Sequence, residues 1–263
     1  MSDMFPPNPI TLAAQHLIAI SQTGTSDKLG NRLPAYLRPQ SNDQALKIQL
    51  EVVRLRGGKI GAWKCGVPTK GKIIVAPIVI DDIVKYGPRC LLKAINGMAP
   101  IEPEIGFVIG TDLPPRLTPY TRAEVEQAIA SAHLAFELIG TRYATPHLLT
   151  FPEILADGLS NCGLLLGPAF RWKDEKELGA IALTLTGPEG ELGQWEGRHP
   201  DGDPLLPLHW LANFLISQGG GLRSGQIVIT GSYHGVIRIP QNVSLEMRYG
   251  DLGALKIEVN APL

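Results

Sequence analysis

IEPEIGFVI, residues 101–109, sets two glutamates in an otherwise apolar run. Side chains alternate along an extended strand, so Glu102 and Glu104 leave it on the same face. Neighbouring carboxylates repel one another and call for a cation. A third acid, Glu137, lies in FELIG between Phe136 and Leu138, where an unpaired carboxylate is costly. Hard divalent cations such as Mg²⁺ and Mn²⁺ take oxygen ligands, and Mg²⁺ commonly draws only a few of them from protein. Three carboxylates on one side would leave the remaining positions open to substrate oxygens. Spacing alone does not decide this, because Glu-x-Glu is more commonly a solvated strand face.

Working outward, residues 10–23 place Leu12, Leu17 and Ile20 at helical spacing. Asn42 or Asp43 is expected to cap a second helix over Gln44–Arg56, ended by Gly57–Gly58. KIGAWKCGVP reads as a strand. IIVAPIVI, residues 73–80, is β-branched but interrupted by Pro77, so it is expected to be a loop or an edge segment. Thr121 and Glu124 form a capping box for a helix over Arg122–His133, with LAFELIG as a strand after it. Phe151–Leu159 reads as a short helix or loop, and CGLLLG and AIALTLTG as strands. GPEGELG is a hairpin turn, and PLHWLANFLISQ, Pro207–Gln218, is an amphipathic helix stopped by Gly219–Gly221. QIVITGS, VIRIP with VSLEMRY, and ALKIEV close the chain as strands. A helical N-terminal lobe over 1–100, followed by a strand-rich unit over 101–263 carrying the acidic site, gives an α+β class.

Lys64, in GAWKCG, is flanked by Trp63, Cys65 and glycines that let a ligand approach. Enclosure disfavours its charge while nearby carboxylates restore it. Lys59 in GGKIG is a rival, and a lysine reaching to solvent is the commoner case. Ser160 and Asn161 in ADGLSNCG, and Thr230, Gly231 and Ser232 in VITGS, are small polar groups that suit a carboxylate or carbonyl, or equally an ordinary turn. His133, His199, His209 and His234 share no ligand spacing; His209 is expected to pack, and His234 could line a pocket.

Composition excludes several roles. The 263 residues are 44% hydrophobic and 19% charged, with formal net charge −1 and no basic run, which argues against nucleic acid or an anionic membrane as partner. The three scattered cysteines suit a reducing compartment, without a disulfide framework or metal spacing. MSDMFPPNP lacks the pattern of a signal peptide, and no apolar run is long enough to span a bilayer, so a cytoplasmic protein is expected.

Taken in order, GAWKCG, IEPEIGFVIG, FELIGTRY, LADGLSNCGLLLG, PLHWLANFLISQGGGLRSGQIVITGS and DLGALKIEV resemble the 2-keto-4-pentenoate hydratase and 4-oxalocrotonate decarboxylase family, in the fumarylacetoacetate hydrolase superfamily. The resemblance runs from about residue 10 to the end. It implies a fumarylacetoacetase-like mixed β-roll with a smaller N-terminal lobe, a Mg²⁺ or Mn²⁺ site and homo-oligomers, with a hydratase–decarboxylase complex as a further assembly. It implies Glu102, Glu104 and Glu137 as metal ligands and Lys64, rather than Lys59, as the lysine of the site. It places a catalytic acid at Asp81 or Asp82 and substrate-binding groups at Ser160, Asn161, Thr230, Gly231 and Ser232. The chain departs from the family at Gly225–Gln226, where Gly-Asp is frequent, and the His-Glu pair of true fumarylacetoacetate hydrolases is not recognisable. The implied activity is addition of water to a small 2-hydroxydienoate or 2-oxo-alkenoate, giving a 4-hydroxy-2-oxo acid in meta-cleavage catabolism of aromatic compounds. Decarboxylation of a 4-oxalocrotonate-type acid and service as a non-catalytic partner subunit are the alternatives.

Overall fold

The computed structural model describes residues 8–23, 32–85, 87, 89–92, 94–174 and 178–260. Two helices, α1 (Pro9–Thr23) and α2 (Asn42–Leu55), lead into strands β1 (Ile60–Thr69), β2 (Lys72–Val79), β3 (Ile83–Lys85), β4 (Arg89–Leu91) and β5 (Met98–Ile109). Then come α3 (Arg122–Gln127), β6 (Ile129–Ile139), α4 (Phe151–Ala156), β7 (Asn161–Phe170), β8 (Ala180–Gly187) and β9 (Gly190–Arg198). Helix α5 (Leu205–Ser217) precedes β10 (Ile227–Ile229), β11 (Ile237–Pro240), β12 (Ser244–Tyr249) and β13 (Gly253–Asn260). The α+β class read from the sequence holds.

The larger sheet runs β2-β1-β10-β5-β6-β7-β3, with β11 added to β5. Its two end strands, β2 and β3, are joined by the single 3-10 turn Ile80–Asp82, so the sheet curls into a roll. Alternation then sorts the side chains. Trp63, Ile101, Phe107, Leu134 and Phe136 point out of the roll and pack against the second sheet, β4-β13-β12-β8-β9. Ala62, Ala135, Leu164 and Ile227 point inward as a small, separate core. That interior is narrow: a Cβ built on Gly106 would stand 3.2 Å from both Ile227 and Leu166. Small residues are therefore needed there, since close-packed interiors do not yield to added volume.

Helices α1, α2 and α4 form a third cluster around Ala13, Leu17, Ile48, Tyr143 and Leu155. α2 and α4 pack on β2, at one side of the roll, and α1 packs on α2. The first 100 residues thus supply α1 and α2 and also β1, β2 and β3 of the roll itself. Glu153 of α4 ties this cluster together. It is buried, accepts two bonds from Arg32 (2.7 and 2.6 Å), and closes a capping box with Thr150.

Several boundaries differ from the sequence reading. The helix expected over Arg122–His133 ends at Gln127, and β6 begins at Ile129, because the segment pairs with β5 from Ile109↔Ile129 to Ile101↔Leu138. A long ladder outweighs the weak preference of a short Ala-rich segment for helix. The N-cap of α2 is Ser41, whose hydroxyl accepts from the Gln44 N–H, rather than Asn42 or Asp43. Residues 73–79 lie in the edge strand β2 (Lys72–Val79), where Pro77 is tolerated, and Ile80 begins the following 3-10 turn. VIRIP and VSLEMRY part company: β11 joins the roll and β12 the second sheet.

Candidate metal and substrate site

The register of the roll assembles the acidic site. Glu102 on β5 lies directly opposite Glu137 on β6, a like-charge pair that destabilises a sheet unless compensated. Glu104 follows on the same face. β10 bridges β1 to β5, and Lys64↔Ile229 and Ile229↔Gly106 bring Lys64 to that face as well. One oxygen from each of the three glutamates lies within 4.8 Å of the others.

The hydrogen bonds leave this cluster short of positive charge. Glu137 is fully buried; its Oε1 accepts from Lys64 Nζ at 2.6 Å and from Asn161 Nδ2 at 2.8 Å. The Gly163 N–H donates to Asn161 Oδ1 and fixes the amide orientation. Glu137 Oε2 is buried with no hydrogen-bond partner among the described residues. Glu104 Oε2 accepts the Gly231 N–H at 2.7 Å. Burial, reinforced by the charge of Glu137, pushes the Glu104 carboxyl well above the usual carboxylate range, and Glu102 is raised for the same reasons. Burial also works against the Lys64 ammonium, but the charge and hydrogen bond of Glu137, with Glu104 and Glu102 behind it, raise it above the ordinary lysine value. One lysine among three enclosed carboxylates leaves negative charge that water does not relieve.

The backbone around the cluster is unusual. Gly158, Leu159 and Ser160 all have positive φ (73°, 56° and 63°). Two adjacent non-glycine residues in the left-handed region store strain of about 1–3 kcal/mol each. This run turns the Leu159 carbonyl toward Lys64 Nζ at 3.3 Å and feeds Asn161 into the site. Opposite it, Gly231 (φ 137°) sits where a Cβ would meet Pro200 at 2.8 Å and His199 Nε2 at 3.3 Å. His199 is buried and holds this bend: its Nδ1 accepts the Asp201 N–H at 3.2 Å, so Nε2 donates to the Thr230 carbonyl at 3.1 Å. Burial keeps its pKa below the usual histidine value.

Beside the acidic cluster a cleft of about 720 Å³ opens between the helices and the roll, reached by Ser160, Asn161, Pro100 and Ile139. The residues singled out from sequence divide around it. Asp82 lines the cleft but is engaged by Arg56 at 2.6 and 2.8 Å, whereas Asp81 is exposed. Thr230 is buried against His199, and Ser232 accepts the N–H groups of His234 and Gly235 as a turn residue. Of the Thr230–Ser232 trio, the Gly231 N–H is the group that meets a carboxylate of the cluster. The histidines stand outside the acidic cluster. His209 Nε2 bonds the Tyr120 carbonyl, and His234 is exposed and stacks on Trp195. His199 had no signal in spacing, since its partner Thr230 lies 31 residues on, in a different loop.

No family model matches the chain. Among curated proteins, 2-keto-4-pentenoate hydratase of Paraburkholderia xenovorans (strain LB400) is 27% identical over 180 residues, 68% of this chain and 66% of the relative. 4-Oxalocrotonate decarboxylase of a Pseudomonas species is 24% identical over 155 residues, 59% of this chain and 58% of the relative. These two matches span 66% and 58% of the relatives' own length. Among solved structures, 4-oxalocrotonate decarboxylase from Pseudomonas putida G7, complexed with magnesium and adipate, superposes with a TM-score of 0.77 at 18% identity, over 98% of this chain and 99% of that one. The fold is fumarylacetoacetase-like. Fumarylpyruvate hydrolase from Pseudomonas aeruginosa, in complex with Mn²⁺ and pyruvate, shares this fold at a TM-score of 0.55 and 14% identity, over 76% of this chain and 89% of that one. The hydratases and the decarboxylase are homologues of this chain by sequence, and a divalent ion is common to these two structural neighbours.

Proposed function

We propose that the chain is a lyase dependent on Mg²⁺ or Mn²⁺ that adds water to a small 2-hydroxydienoic or 2-oxo-alkenoic acid, giving a 4-hydroxy-2-oxo acid. One observation carries this reading: three glutamate oxygens within 4.8 Å, two of the carboxyl groups buried, answered by a single lysine. The fit to a hard cation is supported by the Glu137 Oε2 atom, buried without a hydrogen-bond partner among the described residues, and by an all-oxygen donor set. Glu102, Glu104 and Glu137 would hold the ion. When bound, such a cation supplies an anchor for the carboxylate and 2-oxygen of the acid and stabilises negative charge there.

The chain's own residues provide the rest. Lys64 is held as an ammonium with two of its three N–H groups spoken for, by Glu137 Oε1 and the Leu159 carbonyl. The third has no partner among the described residues and would pass a proton to the substrate as enol and keto forms interconvert. Asn161 keeps Glu137 in orientation, and the Gly231 N–H does the same for Glu104. Ser160 faces the cleft beside them and is assigned to the substrate. The narrow interior behind Gly106 shuts water out on the far side. Water arriving from the cleft then adds its oxygen to the conjugated double bond and a proton to the other carbon.

The homologous decarboxylase favours a second reading in which the same groups support loss of CO₂ from a 4-oxalocrotonate-type acid. Homo-oligomerisation, and assembly with a decarboxylase partner, belong to this proposal through the family resemblance, as does a cytoplasmic location; among the described residues no helix is long and apolar enough to cross a membrane. The protein is to be incubated with Mg²⁺ and 2-hydroxypenta-2,4-dienoate or a 2-oxo-hexenedioate. Loss of the conjugated chromophore without CO₂ is the expected result, and CO₂ release selects the second reading. Glu104→Gln should lower turnover about a hundredfold or more; unchanged metal-dependent turnover in that variant would overturn the site assignment.

A further inference from the structure

Three described guanidinium groups line the cleft, and they are not equivalent. Arg56 is bound through both terminal nitrogens to Asp82, at 2.6 and 2.8 Å. Arg142 donates to the Asp157 carboxylate at 2.7 Å and to its carbonyl at 2.8 Å. Each of these pairs is formally neutral and built into the wall. Arg238 lines the same cleft from β11, is exposed, and has no carboxylate partner among the described residues.

The register places Arg238 relative to the acidic cluster. It pairs with Pro100 across the β11–β5 ladder. Cross-strand partners share a face, and Pro100 shares its face with Glu102, two residues on. Arg238 therefore stands one side-chain repeat, about 7 Å along β5, from the first of the three glutamates. Between them the cleft wall is Pro100 and Ile139, which offer no hydrogen bond to an anion.

We propose that Arg238 anchors a second carboxylate, and that the acids taken by this site carry one at the end remote from the 2-oxygen. The proposal rests on the reading of Glu102, Glu104 and Glu137 as a cation site that holds the 2-oxo acid head. With the head fixed there, an extended six-carbon skeleton points its far end along β5 toward Arg238. A guanidinium fork matches a carboxylate in two parallel hydrogen bonds. The other two arginines cannot substitute without abandoning an aspartate. An uncharged tail would gain nothing from Arg238, and a carboxylate placed against Pro100 and Ile139 without it would be desolvated and unpaired.

The test uses two unreactive acids of equal length, 2-oxohexanoate and 2-oxohexanedioate, titrated calorimetrically into the Mg²⁺- or Mn²⁺-loaded protein. The readout is the ratio of the two affinities, which cancels any change in the cation site. The wild type should favour the diacid about tenfold or more. Arg238→Ala should bring the ratio close to one, and Arg238→Lys should keep part of it; thermal melts show that the variants are folded. A wild-type ratio near one, with both acids binding only when metal is present, would overturn the role of Arg238 and leave the cation site standing. A diacid preference that survives in Arg238→Ala overturns it too. If neither acid binds in the presence of either metal, the cation-site reading fails, and this proposal with it.

Discussion

Glu153 and Glu137 are equally hidden from water, and the protein surrounds them in opposite ways. Glu153, at 1% exposure, takes two bonds from Arg32, the Thr150 N–H at 2.9 Å and the Thr150 hydroxyl at 2.8 Å, with Arg38 at 3.7 Å. Burial opposes its charge, but these partners prevail and hold the carboxyl at about 2. Glu137 shares one lysine with two further glutamates, and one of its oxygens bonds to nothing described. Its neighbours Glu102 and Glu104 are displaced upward instead. A saturated carboxylate stabilises a fold; an undersaturated group of them offers its unbalanced charge to a cation. Burial alone does not tell the two apart.

This contrast can be broken by experiment. Glu153→Gln should cost on the order of 2–3 kcal/mol at neutral pH, measured by denaturant unfolding. The folded-state pKa lies below the ordinary value, so this stability is fully present above about pH 4.5 and is lost as pH falls toward 2. The gap between variant and wild type should therefore narrow by more than half at pH 3. Divalent-metal affinity should not change; a loss comparable to that of Glu104→Gln would erase the distinction.

The acidic cluster should behave in the reverse sense. Without a divalent ion its raised carboxyl groups weaken the fold as pH rises from the ordinary carboxylate value through their folded-state value, because folding must then either take up protons or bury the charges unneutralised. Mg²⁺ or Mn²⁺ at a hundredfold excess over Kd should contribute about 2.7 kcal/mol, a rise of about 5–10 °C in Tm by calorimetry. The rise should be smaller at pH 5 than at pH 8, since protons compete for the same oxygens. Glu137→Gln should remove most of it.

The smallest effect sharpens the comparison at its edge. His199 touches neither substrate nor the proposed ligands, but fixes the bend that presents the Gly231 N–H to Glu104. His199→Gln should lower stability by about 1 kcal/mol while weakening metal affinity about tenfold in a titration. A stability loss with no change in metal affinity would make His199 a core residue only.

How far the sequence discloses this depends on the length scale of each interaction. The shared face of Glu102 and Glu104 is a two-residue regularity, legible without any fold. The opposition of Glu102 to Glu137 needs the β5–β6 register, and the same pairing undid the expected helix up to His133. Lys64 reaches the site only because β10 inserts between β1 and β5, and no local spacing encodes that. The positive φ angles of Leu159 and Ser160 break residue preferences, so composition argues against the very geometry found. Nothing local in sequence marks His199 or Arg238, because what distinguishes them is, respectively, a carbonyl held across two loops and the lack of a carboxylate partner among the described residues.

The parallel pairing of β1 with β10 has a consequence in time. Lys64 and Ile229 lie more than half the chain apart, and nothing short of β10 aligns the lysine with the glutamates. On a ribosome, β5 and β6 emerge with their carboxylates facing one another long before that strand exists. Contacts so distant in sequence form slowly, and half-built sheets expose unpaired edges. The proposed cation site is therefore among the last features of the molecule to mature, and a chain interrupted after α5 would display its acids without the strand that brings in the lysine.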